Sequence, residues 1–207
     1  MQASDISASL LAAAKATSIT EWLIFISALG YVLLAAIESS WCWLLGIISS
    51  ALSVYLCYSG QLFLESGLNI FYVVIGAYGW YQWLYGSASK TELPVISLSL
   101  KKNLLLPCLG LLIWIPFGYI AHKFSTQAMP YLDAFITSFS IVATWMTAKK
   151  IIENWLYWIV IDALAVFLYA YRGFYLIALL YIIYTILAAA GYIAWRKKLN
   201  ISSALHS

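Results

Sequence analysis

Asp162 stands in the middle of an apolar stretch running from Glu153 to Tyr171. A helix crossing a bilayer there would hold it near the midplane, where a charged carboxylate costs roughly 2.5 kcal/mol or more. Such a group must face a wet cavity, meet a donor or stay protonated. Asn154, Trp158 and Asp162 follow the spacing i, i+4, i+8, which puts an amide, a broad aromatic surface and a carboxylate on one helix face. Trp155, one residue around from Asn154, either adds to that surface or anchors the helix at the membrane interface. A second stripe holds Glu65, Asn69, Tyr72, Gly76, Gly79 and Trp83, with Gln82 on its border. Its two glycines allow either close helix contact or room for a ligand. The hydroxyls of Ser49, Ser50, Ser53, Thr137, Ser140 and Thr144 are expected to bond their own helix backbones. Aromatics, amides and acids without a mid-span Lys or Arg suit a neutral or cationic aromatic ligand. A phosphorylated or carboxylated one would want a basic partner.

The elements that carry these residues are membrane helices. The 207-residue chain is 64% hydrophobic and 9% charged, too little charge to cover a soluble domain. Its apolar runs are long enough to span as helices and lack the strict alternation of a barrel. Seven spans are predicted: Ile19 to Ile37, Trp41 to Tyr58, Gln61 to Tyr85, Asn103 to Ala121, Pro130 to Ala148, Glu153 to Tyr171, and Phe174 to Trp195. Pro107 and Pro116 should bend the fourth. Residues 1–18 precede the first span, with no cleavable signal peptide evident and a weakly amphipathic pattern through Ile6, Leu10 and Leu11. A polar loop, 86–102, separates the third and fourth spans, and a tail follows from 196 to 207.

Lys90, Lys101, Lys102, Lys149, Lys150, Arg196, Lys197 and Lys198 fall on one side of this layout; only Lys15, Lys123 and Arg172 fall on the other. The bias predicts a cytoplasmic C-terminus and an external N-terminus. Glu21, Glu38, Glu65 and Asp133, near span ends, are expected to reach water. Cys42, Cys57 and Cys108 read as small apolar residues, and His122 and His206 lack ligand-like neighbours, so neither a metal nor a cofactor is expected. The net charge of +3 belongs to loops, which gives no nucleic-acid groove.

The chain also repeats itself. Shifted by 112 positions, Trp43 meets Trp155, Tyr72 meets Tyr184, Gly79 meets Gly191, Trp83 meets Trp195 and Glu21 meets Asp133. Residues 19–85 and 130–195 thus form two three-helix repeats, with the helix at 103–121 as a linker. An odd linker makes the repeats parallel, the three-one-three SWEET-like arrangement, with a substrate site expected where the halves meet.

The runs Tyr78-Gly79-Trp80-Tyr81-Gln82-Trp83 and Glu153-Asn154-Trp155-Leu156-Tyr157-Trp158 resemble the hallmark segments of the Pnu vitamin transporters. That resemblance extends over all seven spans. It implies a multi-pass transporter of the bacterial inner membrane, not an enzyme. It also implies facilitated diffusion of a vitamin precursor, most readily nicotinamide riboside, with trapping by a cytoplasmic kinase. Gln82, Asn154 and Trp158 match the family's substrate contacts. Asp162 stands where some members have Asn, so its role bears on substrate choice. Asn69, Tyr72 and Trp155 complete the expected binding set. Thiamine or riboflavin transport, and a proton-coupled symporter using Asp162, are the alternatives. Apolar outer faces are compatible with a homo-oligomer, as for any membrane helices.

Overall fold

A computed structural model of the chain describes residues 17–60, 63–87, 92–124 and 128–205. The weak N-terminal amphipathic pattern and Lys90 lie outside the described residues. Seven helices occur among the described residues: α1 (Ile19–Ala36), α2 (Cys42–Ser59), α3 (Phe63–Tyr85), α4 (Leu100–Phe124), α5 (Pro130–Ala148), α6 (Asn154–Tyr171) and α7 (Tyr175–Leu205). The fold class is therefore the all-helical membrane architecture expected. Five of the helices, α1, α2, α4, α6 and α7, are long and apolar enough to cross a membrane. The other two, α3 and α5, carry the polar stripes that run through Asn69 and Gln82 and through Asp133 and Thr144. Pro107 and Pro116 sit inside α4 without ending it. Past the apolar stretch that stops at Trp195, α7 continues to Leu205.

The chain gathers into two compact units. One comprises Ser97–Thr144 and Glu153–Ala189; the other comprises Ser18–Ile96, Trp145–Ile152 and the end of α7 from Ala190.

In the first unit, α5 and α6 share a core of Ile136, Phe139, Ala143, Ile161, Ala165 and Leu168, with Tyr157, Trp158 and Tyr181 packed against it. Small residues let α4 approach α5. A Cβ at Gly110 would lie 2.8 Å from the Phe139 ring, and one at Gly118 would lie 2.9 Å from Tyr131. At one end, Arg172 donates to Asp133 at 2.9 Å and to the Ala128 carbonyl at 2.7 Å. This clamps the α6–α7 turn to the start of α5. Asp133 reaches water as expected, its side chain 37% exposed, and has Arg172 as a partner besides.

In the second unit, α1 opens with a capping box. Ser18 and Glu21 satisfy each other's backbone N–H groups at 2.6 and 3.3 Å. Close contact between α2 and α3 decides the alternative left open for the two glycines: a Cβ at Gly79 would lie 2.5 Å from the Trp43 indole, and one at Gly76 would lie 2.8 Å from Ile47. They are packing positions.

The same unit contains a pair of equivalent helix ends. At the end of α1, Glu38 donates to Ala35 and Ser39 to Leu34; at the end of α5, Lys150 donates to Thr147 and Ile151 to Met146. Each is a Schellman motif that places its C′ residue in the left-handed region, and the angles are φ 60° for Glu38 and φ 49° for Lys150. Glycine is usual there; a side chain costs roughly 1 kcal/mol. The two side chains meet each other, Lys150 Nζ to Glu38 Oε2 at 3.5 Å, while Lys198 reaches the other oxygen of Glu38 at 3.1 Å. A carbonyl oxygen has two lone pairs, and at each end the carbonyl that accepts from the C′ N–H also takes an indole N–H. Trp83 Nε1 donates to Thr147 O at 3.0 Å, and Trp195 Nε1 donates to Ala35 O at 3.1 Å. Trp83 lies between Trp43 and Trp195, with ring centroids 5.6 and 5.9 Å away.

Candidate functional site

The α6 stripe belongs to the first unit. Its helix begins at Asn154 because the residue before it is held. The Glu153 carboxylate accepts from Ser97 Oγ at 2.5 Å and from Leu98 N at 3.2 Å, so the segment entering α4 fixes the first turn of α6. Asn154 is fully buried, with 0% exposure, and Trp155 is nearly so. Trp155 is a core residue of its unit rather than an exposed ring. Trp158 is half-buried on the α5–α6 core. Asp162 is 4% exposed. Among the described residues it joins no ion pair, and Tyr184 of α7 lies within its electrostatic reach. A buried carboxylate so placed either stays protonated and donates, or draws in a cation.

The α3 residues belong to the second unit and spread along the helix. Asn69 and Tyr72 precede Gln82 by thirteen and ten residues, which at 1.5 Å per residue is about 20 and 15 Å. They do not gather beside it. The Asn69 amide donates to its own helix at Glu65 O, 2.9 Å away, and the Tyr72 ring sits 5.6 Å from Phe71. Gln82 is half-buried. Its Oε1 accepts from Lys149 Nζ at 3.3 Å, and the same ammonium lies 4.9 Å from the centre of the Tyr78 ring. Charge counting missed this contact. Lys149 reads as a loop cation that sets topology, yet it reaches an amide that the sequence singles out. A buried amide in need of a partner was the available signal; which partner was not in the spacing.

Two of the hydroxyls expected to bond their own helices do so, Thr144 to Ser140 O and Ser53 to Ser49 O; Ser138, not singled out in the sequence, does the same to Ala134 O. Ser49 instead reaches Ile24 O on α1 at 3.2 Å. Glu38, expected to reach water, lies in the buried ion pair with Lys150, whose side chain is 3% exposed and 4.6 Å from the Trp83 ring. Burial pulls the Lys150 ammonium below its ordinary value of 10.5, against the opposing pull of Glu38. No group of three or more potential metal ligands occurs among the described residues.

Comparison with known proteins gives consistent matches. A family model described as nicotinamide mononucleotide transporter matches residues 18–197. The chain is 27% identical over 193 residues to a nicotinamide riboside transporter of Escherichia coli (strain K12), covering 78% of each protein. It is 26% identical over 164 residues to a riboflavin/roseoflavin transporter of Streptomyces davaonensis, covering 76% of this chain and 75% of that one. Among solved structures, the crystal structure of a vitamin B3 transporter superposes with a TM-score of 0.69 at 25% identity, over 86% of this chain and 80% of that one.

Proposed function

Because the chain belongs to the nicotinamide mononucleotide transporter family, we propose that this multi-pass membrane transporter carries nicotinamide riboside, the form without a phosphate. The observation that carries the reading is the α6 stripe, with Asn154 and Asp162 buried and Trp158 half-buried between them. A carboxylate at Asp162 attracts a pyridinium and repels a phosphate. The Trp158 face stacks on a flat cationic ring, and the amides of Asn154 and Gln82 bond the carboxamide and ribose. Trp155, Asn69 and Tyr72 stand as lesser members of the same proposal, Asn69 the weakest because its amide is spent on its own helix.

The wider scheme follows from the expectations of the sequence. The protein sits in a bacterial inner membrane with its C-terminus in the cytoplasm. It moves substrate by facilitated diffusion, as the two three-helix repeats rock about the binding residues. A cytoplasmic kinase makes uptake one-way by phosphorylating the product. The ligand drives the change only through unequal affinity for the two states.

A second reading takes riboflavin as cargo, favoured by the Streptomyces relative. Riboflavin is neutral, so the two readings differ at Asp162. Calorimetry on the purified protein with nicotinamide riboside, thiamine and riboflavin separates them. The expected result is tight binding of nicotinamide riboside, abolished by Asn154→Ala and by Trp158→Ala and weakened by Asp162→Asn. Riboflavin binding indifferent to Asp162→Asn would establish the second reading. Normal uptake by both the Asn154 and Trp158 variants would overturn the site.

A further inference from the structure

We infer that Lys149 is a positioning residue and sets the polarity of the hydrogen bond that Gln82 offers a ligand. The inference rests on the reading of Gln82 as a substrate contact and deepens it.

An amide side chain can present either its oxygen or its NH2 group, and nothing intrinsic chooses between them. Here one neighbour chooses. Lys149 Nζ, which can only donate, faces Oε1 at 3.3 Å. The reversed amide would set donors against donors. Gly86 leaves room for it: a Cβ there would stand 2.7 Å from Gln82 Oε1 and 2.4 Å from Gln82 O. The backbone of Gly86 also donates to Gln82 O at 2.8 Å. The absence of a side chain at 86 thus makes the niche in which Oε1 lies. The ammonium is held in turn by the Tyr78 ring, 4.9 Å from its centre to Nζ. The oxygen is thus held by Lys149, in a niche that Gly86 leaves open, and among the described residues no group accepts from Nε2.

Gln82 is therefore a donor to whatever binds beside it, and the matching ligand group is an acceptor, a carbonyl or hydroxyl oxygen. A ligand that brings an amine to this point meets donors only. Nicotinamide riboside and riboflavin both carry carbonyl oxygens that suit this donor; the exocyclic group of thiamine's aminopyrimidine is an amine, so thiamine must turn a ring nitrogen or its hydroxyl to this point instead. Lys149 thus acts on substrate choice without touching substrate.

The test is calorimetric binding of nicotinamide riboside and thiamine to the purified full chain, with thermal unfolding as the control for folding. Lys149→Met frees the amide to rotate. It should weaken nicotinamide riboside binding about tenfold, the worth of one oriented hydrogen bond, and should narrow its margin over thiamine. Lys149→Arg, which also only donates, should restore both. In a Gln82→Ala background, Lys149→Met should add nothing. An equal loss from Lys149→Met with and without Gln82 would overturn the inference, as would an unchanged preference between the two vitamins. Should the methionine variant fail to fold, Lys149→Gln poses the same question with a polar side chain. Wild-type protein that binds neither vitamin, or a Gln82→Ala variant that binds normally, would instead overturn the functional reading beneath it, and this inference would fall too.

Discussion

The two sequence repeats agree where they hold the protein together and differ where they could hold a ligand. At the ends of α1 and α5 the agreement is complete. Residues 112 apart make the same Schellman bonds, adopt the same left-handed angle and receive the same indole N–H, Trp83 on Thr147 and Trp195 on Ala35. Each indole serves the other repeat, so the bonds are exchanged rather than merely copied. Along α2 and α6 the agreement breaks. Asn154, Trp158 and Asp162 correspond to Cys42, Gly46 and Ser50. Aromatic volume changes helix as well. Tyr31 of α1 packs on Gly46, where a Cβ would stand 3.0 Å from the ring; in the other repeat, Ala143 of α5 belongs to the core on which Trp158 of α6 packs. A large–small pair has become a small–large pair at the same level. Packing tolerates such volume-conserving exchanges, and the exchange puts an indole on the α6 face that carries the acid. A duplicated fold keeps its symmetry where both copies meet the same backbone need, and one copy is free to diverge once the other supplies the shape.

If the shared helix ends are truly equivalent, equal injury should have equal cost. Trp83→Ala and Trp195→Ala each remove a buried indole and its hydrogen bond, and each should lower stability by about 3–5 kcal/mol. Thermal unfolding in detergent checks this. A large loss at one position alone would mean that the two ends are not equivalent. Phenylalanine at either place keeps most of the ring volume and should cost about 1 kcal/mol, the net worth of the lost bond.

In the ion pair between the two ends, equivalent positions carry opposite charges. Glu38→Gln leaves a buried ammonium without its counter-charge and should cost about 3 kcal/mol. Lys150→Met should cost less, since Lys198 still meets Glu38. The pH dependence carries the sign. Burial lowers the Lys150 pKa in the folded protein below its ordinary 10.5, so between those two values the unfolded chain binds more protons. Stability should therefore gain a contribution as pH rises through that window and lack it below. Glu38→Gln removes an influence that holds the value up and should move the onset to lower pH. In Lys150→Met that contribution should vanish. Unfolding temperatures measured across alkaline pH for the three proteins decide it.

These ends explain what the sequence discloses. The seven helices and the 112-residue shift are legible because apolar runs of membrane length and repeated Trp, Tyr and Gly residues are visible as residue types. The pairs Ala35 with Thr147 and Glu38 with Lys150 are not, although they occupy equivalent places. A backbone carbonyl accepts from an indole whatever side chain its residue carries, so selection for that bond leaves no shared letter. An ion pair across equivalent positions even requires unlike letters. The same limit hid Lys149, since its side chain reaches Gln82 from a connection whose charge reads as a topology signal. The α6 stripe was legible because helical spacing and a misplaced acid suffice to mark it.

The smallest expected effect is the most pointed test of asymmetry. Ser50 is the first-repeat counterpart of Asp162, and its hydroxyl makes none of the bonds found at Ser49 or Ser53. If the part that Asp162 plays belongs to the second repeat alone, Ser50→Ala should change stability by no more than about 0.5 kcal/mol and leave uptake of nicotinamide riboside at its wild-type rate. Asp162→Ser, which copies the first repeat's residue into the second, should weaken binding, and Ser50→Asp added to it should not restore the lost affinity. An acid that served equally well from either helix would mean that the ligand meets both repeats alike. The divergence of Cys42, Gly46 and Ser50 would then reflect packing rather than function. Failure of the double exchange, beside a silent Ser50→Ala, would fix the asymmetry as functional.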